Sequence, residues 1–456
     1  MNKSGSGNPP PIGEGGAPAG EYSQHLWDTQ VRAAIRSLDY MPDRPYRNFA
    51  GWMATHARYA DRWFQLTNLT AQVRMTHALF SGLFTEDESV RLFDHIALMN
   101  VHQSYETFSD NLAFGLATPQ ERRHLEQDTR RTVVLAFNEA MLSRLGGTDA
   151  EEVKAQILAL QPRTVSVFRQ SLGESEYREL ATEYVSAHPD VDPTAIEFDV
   201  APVLLANIEA AFAQVQNMRG RATAEPLRKG LSRRYSAVTR QLTRPPESSR
   251  ELLSVGIDSV LVVPTVLYCA GVIAELIRPV PGYTIMLTDG TLERAATAAA
   301  LSVRLLNDCG TRLLEQSRED HASLVAELHQ LHASDRSGRF ETVSDLVLRA
   351  QENDGVLLTR FTKDLLFGEF NVCLDGIRNL PATSASLALL EERLGLVRSA
   401  YRDARTAMAQ ANRLLTQGLG YDVLSVLIDR FVEFQRSTYS HVFDSVLGEF
   451  ATPRSH

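Results

Sequence analysis

The chain has 456 residues, 44% of them apolar and 22% charged, with a formal net charge of −10 and three cysteines. This composition excludes wholesale disorder and fibrous repeats, and the acidic balance argues against a general nucleic-acid binder, whose phosphate contacts need a basic surface. Cys269, Cys309 and Cys373 lie far apart with no C-x-x-C, which excludes a disulfide scaffold and a zinc ribbon and suits a reducing, cytoplasmic setting.

Residues 1–21 open with MNKSGSGNPPPIGEGGAPAG, which is rich in Gly, Pro and Ser and has no apolar core, so a disordered tail is expected. Aromatic residues crowd into 27–64 (Trp27, Tyr40, Tyr46, Trp52, Tyr59, Trp63, Phe64) and read best as core packing. Glu86-Asp87-Glu88 has the composition of a helix N-terminus, where carboxylates complement the macrodipole. Further on, HQSYETFSDNLAFG carries Asp110, with Glu106 one helical turn before it.

Ala, Leu, Glu, Arg and Gln recur at three-to-four spacing throughout, and no stretch keeps a period of two, so the fold class is all-α. Loops between helices are expected at Arg144–Asp149, His188–Pro193, Gly220–Pro226, Arg244–Ser249, Arg278–Gly282 and Asn379–Ser384, where Gly, Pro and Asp cluster. A soft boundary near 217–226 separates an N-terminal helical region, 22–220, from a C-terminal one, 221–450. Within the latter, Ser259–Ala274 is apolar but shorter than the roughly 20 residues of a spanning helix. It also holds Pro264 and Gly271, so a buried, broken core helix is expected and no membrane span. Thr383 to Gln417 reads as one long helix.

The chemistry concentrates in Leu292–Glu315, LERAATAAALSVRLLNDCGTRLLE. On a continuous helix Asn307, Thr311 and Glu315 would form one stripe, because each step of four residues drifts only about 40°. An amide oxygen, a hydroxyl and a carboxylate are hard donors of the kind Mg²⁺ accepts while keeping sites for water and phosphate oxygens. No P-loop, H-E-x-x-H, G-x-S-x-G or G-x-G-x-x-G pattern occurs, so NTPase, metalloprotease, hydrolase and dinucleotide readings lack support.

N-D-x-x-T-x-x-x-E resembles the second metal motif of class I terpene synthases. The order around it, a broken apolar helix, the linker RPVPGY and then the motif helix, is similar to that family's. The resemblance covers about residues 225–375. It implies a large helical bundle with extra N-terminal helices, in which Mg²⁺ draws diphosphate from farnesyl or geranylgeranyl diphosphate and an apolar cavity cyclises the cation. Asn307, Thr311 and Glu315 would then be metal ligands. The aspartate-rich first motif is absent, and Asp110 is its best substitute, with Glu86–Glu88 as the alternative. Arg318 stands in for the motif's missing basic residue, Arg250 for the arginine missing from the broken helix, and Arg436 with Tyr439 is a loose echo of the C-terminal pair. The partner implied is a prenyl diphosphate, and a homodimer is left open. A prenyltransferase using the same cation and a non-catalytic helical scaffold are the alternatives.

Overall fold

The computed structural model describes residues 21–441 except 118–124, 161–163, 170–172, 245, 247, 336–339 and 355–357. The expected tail at 1–20, Pro245 and the stretch 442–450 lie outside the described residues. The described residues are overwhelmingly α-helical, and pairing of extended backbone is confined to a single bridge, Thr342 with Pro381. The first helix starts at Glu21, the last residue of the expected tail.

Each expected loop separates two helices, as at Gly146–Asp149 between Leu125–Leu145 and Ala150–Ala159. The long C-terminal helix runs Ser384–Leu419, slightly beyond the expected end. Its start is set by Thr383, whose side chain accepts the Ser386 N–H, and its end by Gly420 in the left-handed region. The aromatic crowd packs as a core: Phe49 meets Trp63 and Tyr184 edge-on, each at 5.5 Å between ring centres. One continuous apolar core runs from Met41 to Val432 and crosses the expected boundary at 217–226. The boundary is therefore a loop, Met218–Thr223, inside one packed body.

At the centre lies Thr291–Cys309, buried on nearly all sides. Its alanines let the long Ser384–Leu419 helix and Val262–Gly271 pack closely against it. The apolar run is a broken helix: Ser249–Ser259 and Val262–Ile277 meet at a 44° bend. Pro264 sits in the first turn after the break, where its missing N–H costs nothing. No single described helix is long and apolar enough to cross a membrane; the bent pair passes by length and composition, yet every residue of Val262–Gly271 is buried in protein.

The broken helix ends in a π-turn, Val272–Ile277, that presents Glu275 to the start of Ala224–Thr243. Glu275 there accepts from the Ala222 and Thr223 N–H groups at 2.8 and 3.2 Å, satisfying orphan donors. Gly271 permits this approach, since a Cβ there would sit 2.5 Å from the Thr223 hydroxyl oxygen.

The acidic run 86–88 opens the 27-residue helix Glu86–Leu112, with a capping box between Thr85 and Glu88. Arg278 also grips Glu88, and together with the cap holds its carboxyl down at about 2, from an ordinary 4.5. A carboxyl depressed in the folded state stabilises above its unfolded pKa and loses that contribution as pH falls through the folded one. Acid denaturation should therefore steepen between pH 4.5 and 2, by about 1 kcal/mol after allowance for solvent screening. Glu88→Gln should flatten that window in a urea titration; an unchanged slope would refute the pairing.

Candidate functional site

A cavity of about 620 Å³ opens between the helices Glu86–Leu112, Ala224–Thr243, Thr291–Cys309, Thr359–Leu366 and Val423–His441 and the bend at Val260–Leu261. Much of its wall is apolar, including Met75, Val238, Val303, Phe431 and Phe434, with Ser259–Val262 at the helix break. The charged part of the wall holds Glu106, Asp110, Arg234, Arg304, Arg360, Lys363 and Glu369, with Asn307 among them.

On one side, Arg234 ties two carboxylates that a helix would otherwise set in repulsion. Its guanidinium donates to Glu106 at 3.2 Å and to Asp110 at 2.8 Å. Glu106 is 3% exposed and also accepts from the Tyr235 hydroxyl and the Asn207 amide, both at 2.8 Å. Tyr235 in turn meets His102 Nε2 at 2.9 Å, and burial pushes the His102 imidazole down to about 3, so it stays neutral. Asp110 differs from Glu106: its side chain is 62% accessible, because it faces the open cavity. Partial enclosure by the walls and the nearby Glu106 carboxylate push its carboxyl up, against the pull of Arg234.

On the other side, Arg304 holds Asp308 at 2.8 Å and donates to the Phe370 carbonyl at 2.8 Å. Lys363 donates to Glu369 at 2.7 Å and lies 2.5 Å from Asp364. Burial works against the Lys363 charge, but Asp364 and Glu369 outweigh it and hold the ammonium above its usual range. Arg360 donates to the Asn307 carbonyl at 2.6 Å and to its side-chain oxygen, and lies over the Tyr439 ring at 4.9 Å.

The expected three-oxygen stripe does not form. The motif helix stops at Cys309; Gly310 adopts φ 79°, ψ 155°, and Thr311–Glu315 is a separate helical turn. Of the three, Asn307 lines the cavity, with its oxygen already accepting from Arg360. Thr311 is buried elsewhere and donates its hydroxyl to the Arg436 carbonyl at 2.7 Å. Glu315 makes a two-point ion pair with Arg436, at 2.6 and 2.8 Å, outside the cavity wall. Arg318 is exposed in the first turn of Arg318–Ser334 and does not reach the cavity. Arg250 lines a groove on the outer side of the Ala224–Thr243 and Ser249–Ser259 pair. Tyr439 does line the cavity, while Arg436 is held by Glu315. Among the described residues, no group of three or more His, Cys, Asp or Glu side chains is arranged to hold a metal ion.

Gly310 explains the interruption. Its conformation is one that only glycine enters without strain, and a Cβ would stand 3.0 Å from Arg360 Cγ. Gly310→Ala should destabilise the chain by about 1–3 kcal/mol in chemical denaturation; an unchanged midpoint would mean that the bend is not set there.

Sequence reading missed the basic residues of the wall. Two signals were present: Glu106 and Asp110 repeat a carboxylate at i and i+4, which needs a shared cation, and Arg304 with Asp308 is a charged i,i+4 pair on an otherwise apolar, Ala-rich helix. Scanned against family models, curated proteins and solved structures, the chain matches none of them.

Proposed function

We propose that the cavity takes a prenyl diphosphate, farnesyl or geranylgeranyl, and that the chain is a lyase of the class I terpene synthase type, ionising the substrate and cyclising the cation. The observation that carries this reading is the cavity itself: about 620 Å³, apolar along the bent helix, with Asp110, Asn307, Arg304, Arg360 and Lys363 in its charged wall. A volume in the range of small-ligand sites and convergent polar groups in one region suit an amphiphilic anion.

Ionisation breaks the allylic C–O bond, and the electron pair leaves with the diphosphate. Arg304, Arg360 and Lys363 are already oriented by hydrogen bonds, so they stabilise the developing negative charge without reorganising. The apolar wall keeps water from the cation, and the aromatic rings of Phe431 and Phe434 line it. The metal set expected from the motif does not fit, since two of its three oxygens, those of Thr311 and Glu315, are taken up by Arg436 off the cavity wall. Mg²⁺ would arrive as the counter-ion carried by the diphosphate; Asp110, ion-paired with Arg234 at 2.8 Å, is the wall carboxylate with the most accessible side chain.

Incubation with farnesyl or geranylgeranyl diphosphate and Mg²⁺ should release inorganic diphosphate together with a hydrocarbon or alcohol. Diphosphate bound but never released would favour the second reading, a binding protein without turnover, for which the interrupted motif helix speaks.

A further inference from the structure

The basic residues of the cavity wall are not scattered. Arg304 and Asn307 share the last turns of Thr291–Cys309, and Arg360 and Lys363 share one turn of Thr359–Leu366. Arg360 bonds Asn307 across the two helices, while Arg304 donates to the Phe370 carbonyl and Lys363 to Glu369, both in the segment that follows Thr359–Leu366. Arg304 and Lys363 both line the cavity although their side chains are only 9% and 12% exposed. Two acids that balance them, Asp308 and Asp364, are 0% and 1% exposed and stand behind the wall, away from any ligand in the cavity.

We infer that the head group of the cavity's ligand is bound by Arg304, Arg360 and Lys363 directly, as an oxyanion of diphosphate type, with no divalent cation required for binding. This rests on the reading of the cavity as a site for an amphiphilic phosphate. Three arguments carry it. Gly310 has turned two of the motif's three oxygen donors away from the cavity. The carboxylates that remain on the wall are each engaged by a cation, Glu106 and Asp110 by Arg234 and Glu369 by Lys363, which lowers their worth as metal ligands. Guanidinium groups present paired donors matched to phosphate oxygens, and an ammonium adds a compact charge.

The test is calorimetric titration of the full chain with inorganic diphosphate and with farnesyl diphosphate, first in EDTA and then in Mg²⁺. Binding of both in EDTA is expected, with Kd raised about tenfold or more by Lys363→Gln and by Arg360→Gln. Glu315→Gln and Arg318→Gln should leave Kd unchanged. Thermal unfolding reports whether each variant folds; where a Gln variant does not, Arg360→Lys keeps the charge, loses the fork, and should still weaken binding. Binding that appears only with Mg²⁺ and is abolished by Glu315→Gln overturns the inference and restores the metal motif. Binding that requires Mg²⁺ but is still weakened by the cavity variants and not by Glu315→Gln overturns the inference and leaves the cavity reading standing; binding in EDTA that ignores all the cavity variants overturns both. No binding of either compound under either condition overturns both.

Discussion

Arg234→Leu should be the most destabilising single change in the charged wall, costing about 3–5 kcal/mol, because it leaves Glu106 buried with its charge uncompensated. The wild-type arrangement is coherent only as a whole: the guanidinium serves Glu106 and Asp110 at once, and Glu106 completes itself with Tyr235 and Asn207. A second substitution, Glu106→Gln, should recover a large part of the loss, since the amide carries no charge and can still meet Tyr235 and Asn207. Denaturant unfolding of both single variants and the double variant makes the cycle. If Arg234→Leu costs less than about 1 kcal/mol, the buried cluster is not held as described.

Turnover supplies the second large effect, and it separates the cavity from the motif. Lys363→Gln should lower diphosphate release about 10²-fold or more, the scale of removing one electrostatic group from a preorganised site. Glu315→Gln should leave release within about threefold, because its carboxylate is spent on Arg436 and lies off the cavity wall. Measuring released diphosphate for the two variants beside the wild type decides the matter. The reverse ranking, with Glu315 essential and Lys363 dispensable, would return the metal site to Asn307, Thr311 and Glu315 and discard the geometry around Gly310.

The contrast shows how far a motif can be trusted without its backbone. Spacing of four residues makes a stripe only while the helix continues, and N-D-C-G-T contains the residue that lets it stop. Glycine at 310 is compatible with a helix interior at a cost of about 1 kcal/mol, so the letters alone permit either outcome. The break is decided by what surrounds it: Arg360 packs against Gly310 and bonds the Asn307 carbonyl, while Arg436 draws off both Thr311 and Glu315. Those partners lie 53, 125 and 121 residues away in the chain, beyond the reach of any periodicity.

What the sequence alone determined is local. Helical period, cap residues and Gly-Pro punctuation are short-range properties, and they account for the all-α fold, the loops, the capped acidic run at 86–88 and the single long helix after Thr383. The apolar run with Pro264 and Gly271 likewise announced a broken core helix. The tertiary structure decided which faces meet. It joined the two expected regions into one core, chose Asp110 and Asn307 for the cavity while excluding Thr311, Glu315 and Arg318, and assembled Arg234, Arg304, Arg360 and Lys363 from three separate helices. The reason is energetic: a buried charge is tolerable only beside its counter-charge or hydrogen-bond partners, and those are supplied by packing between distant segments rather than by neighbours in the chain.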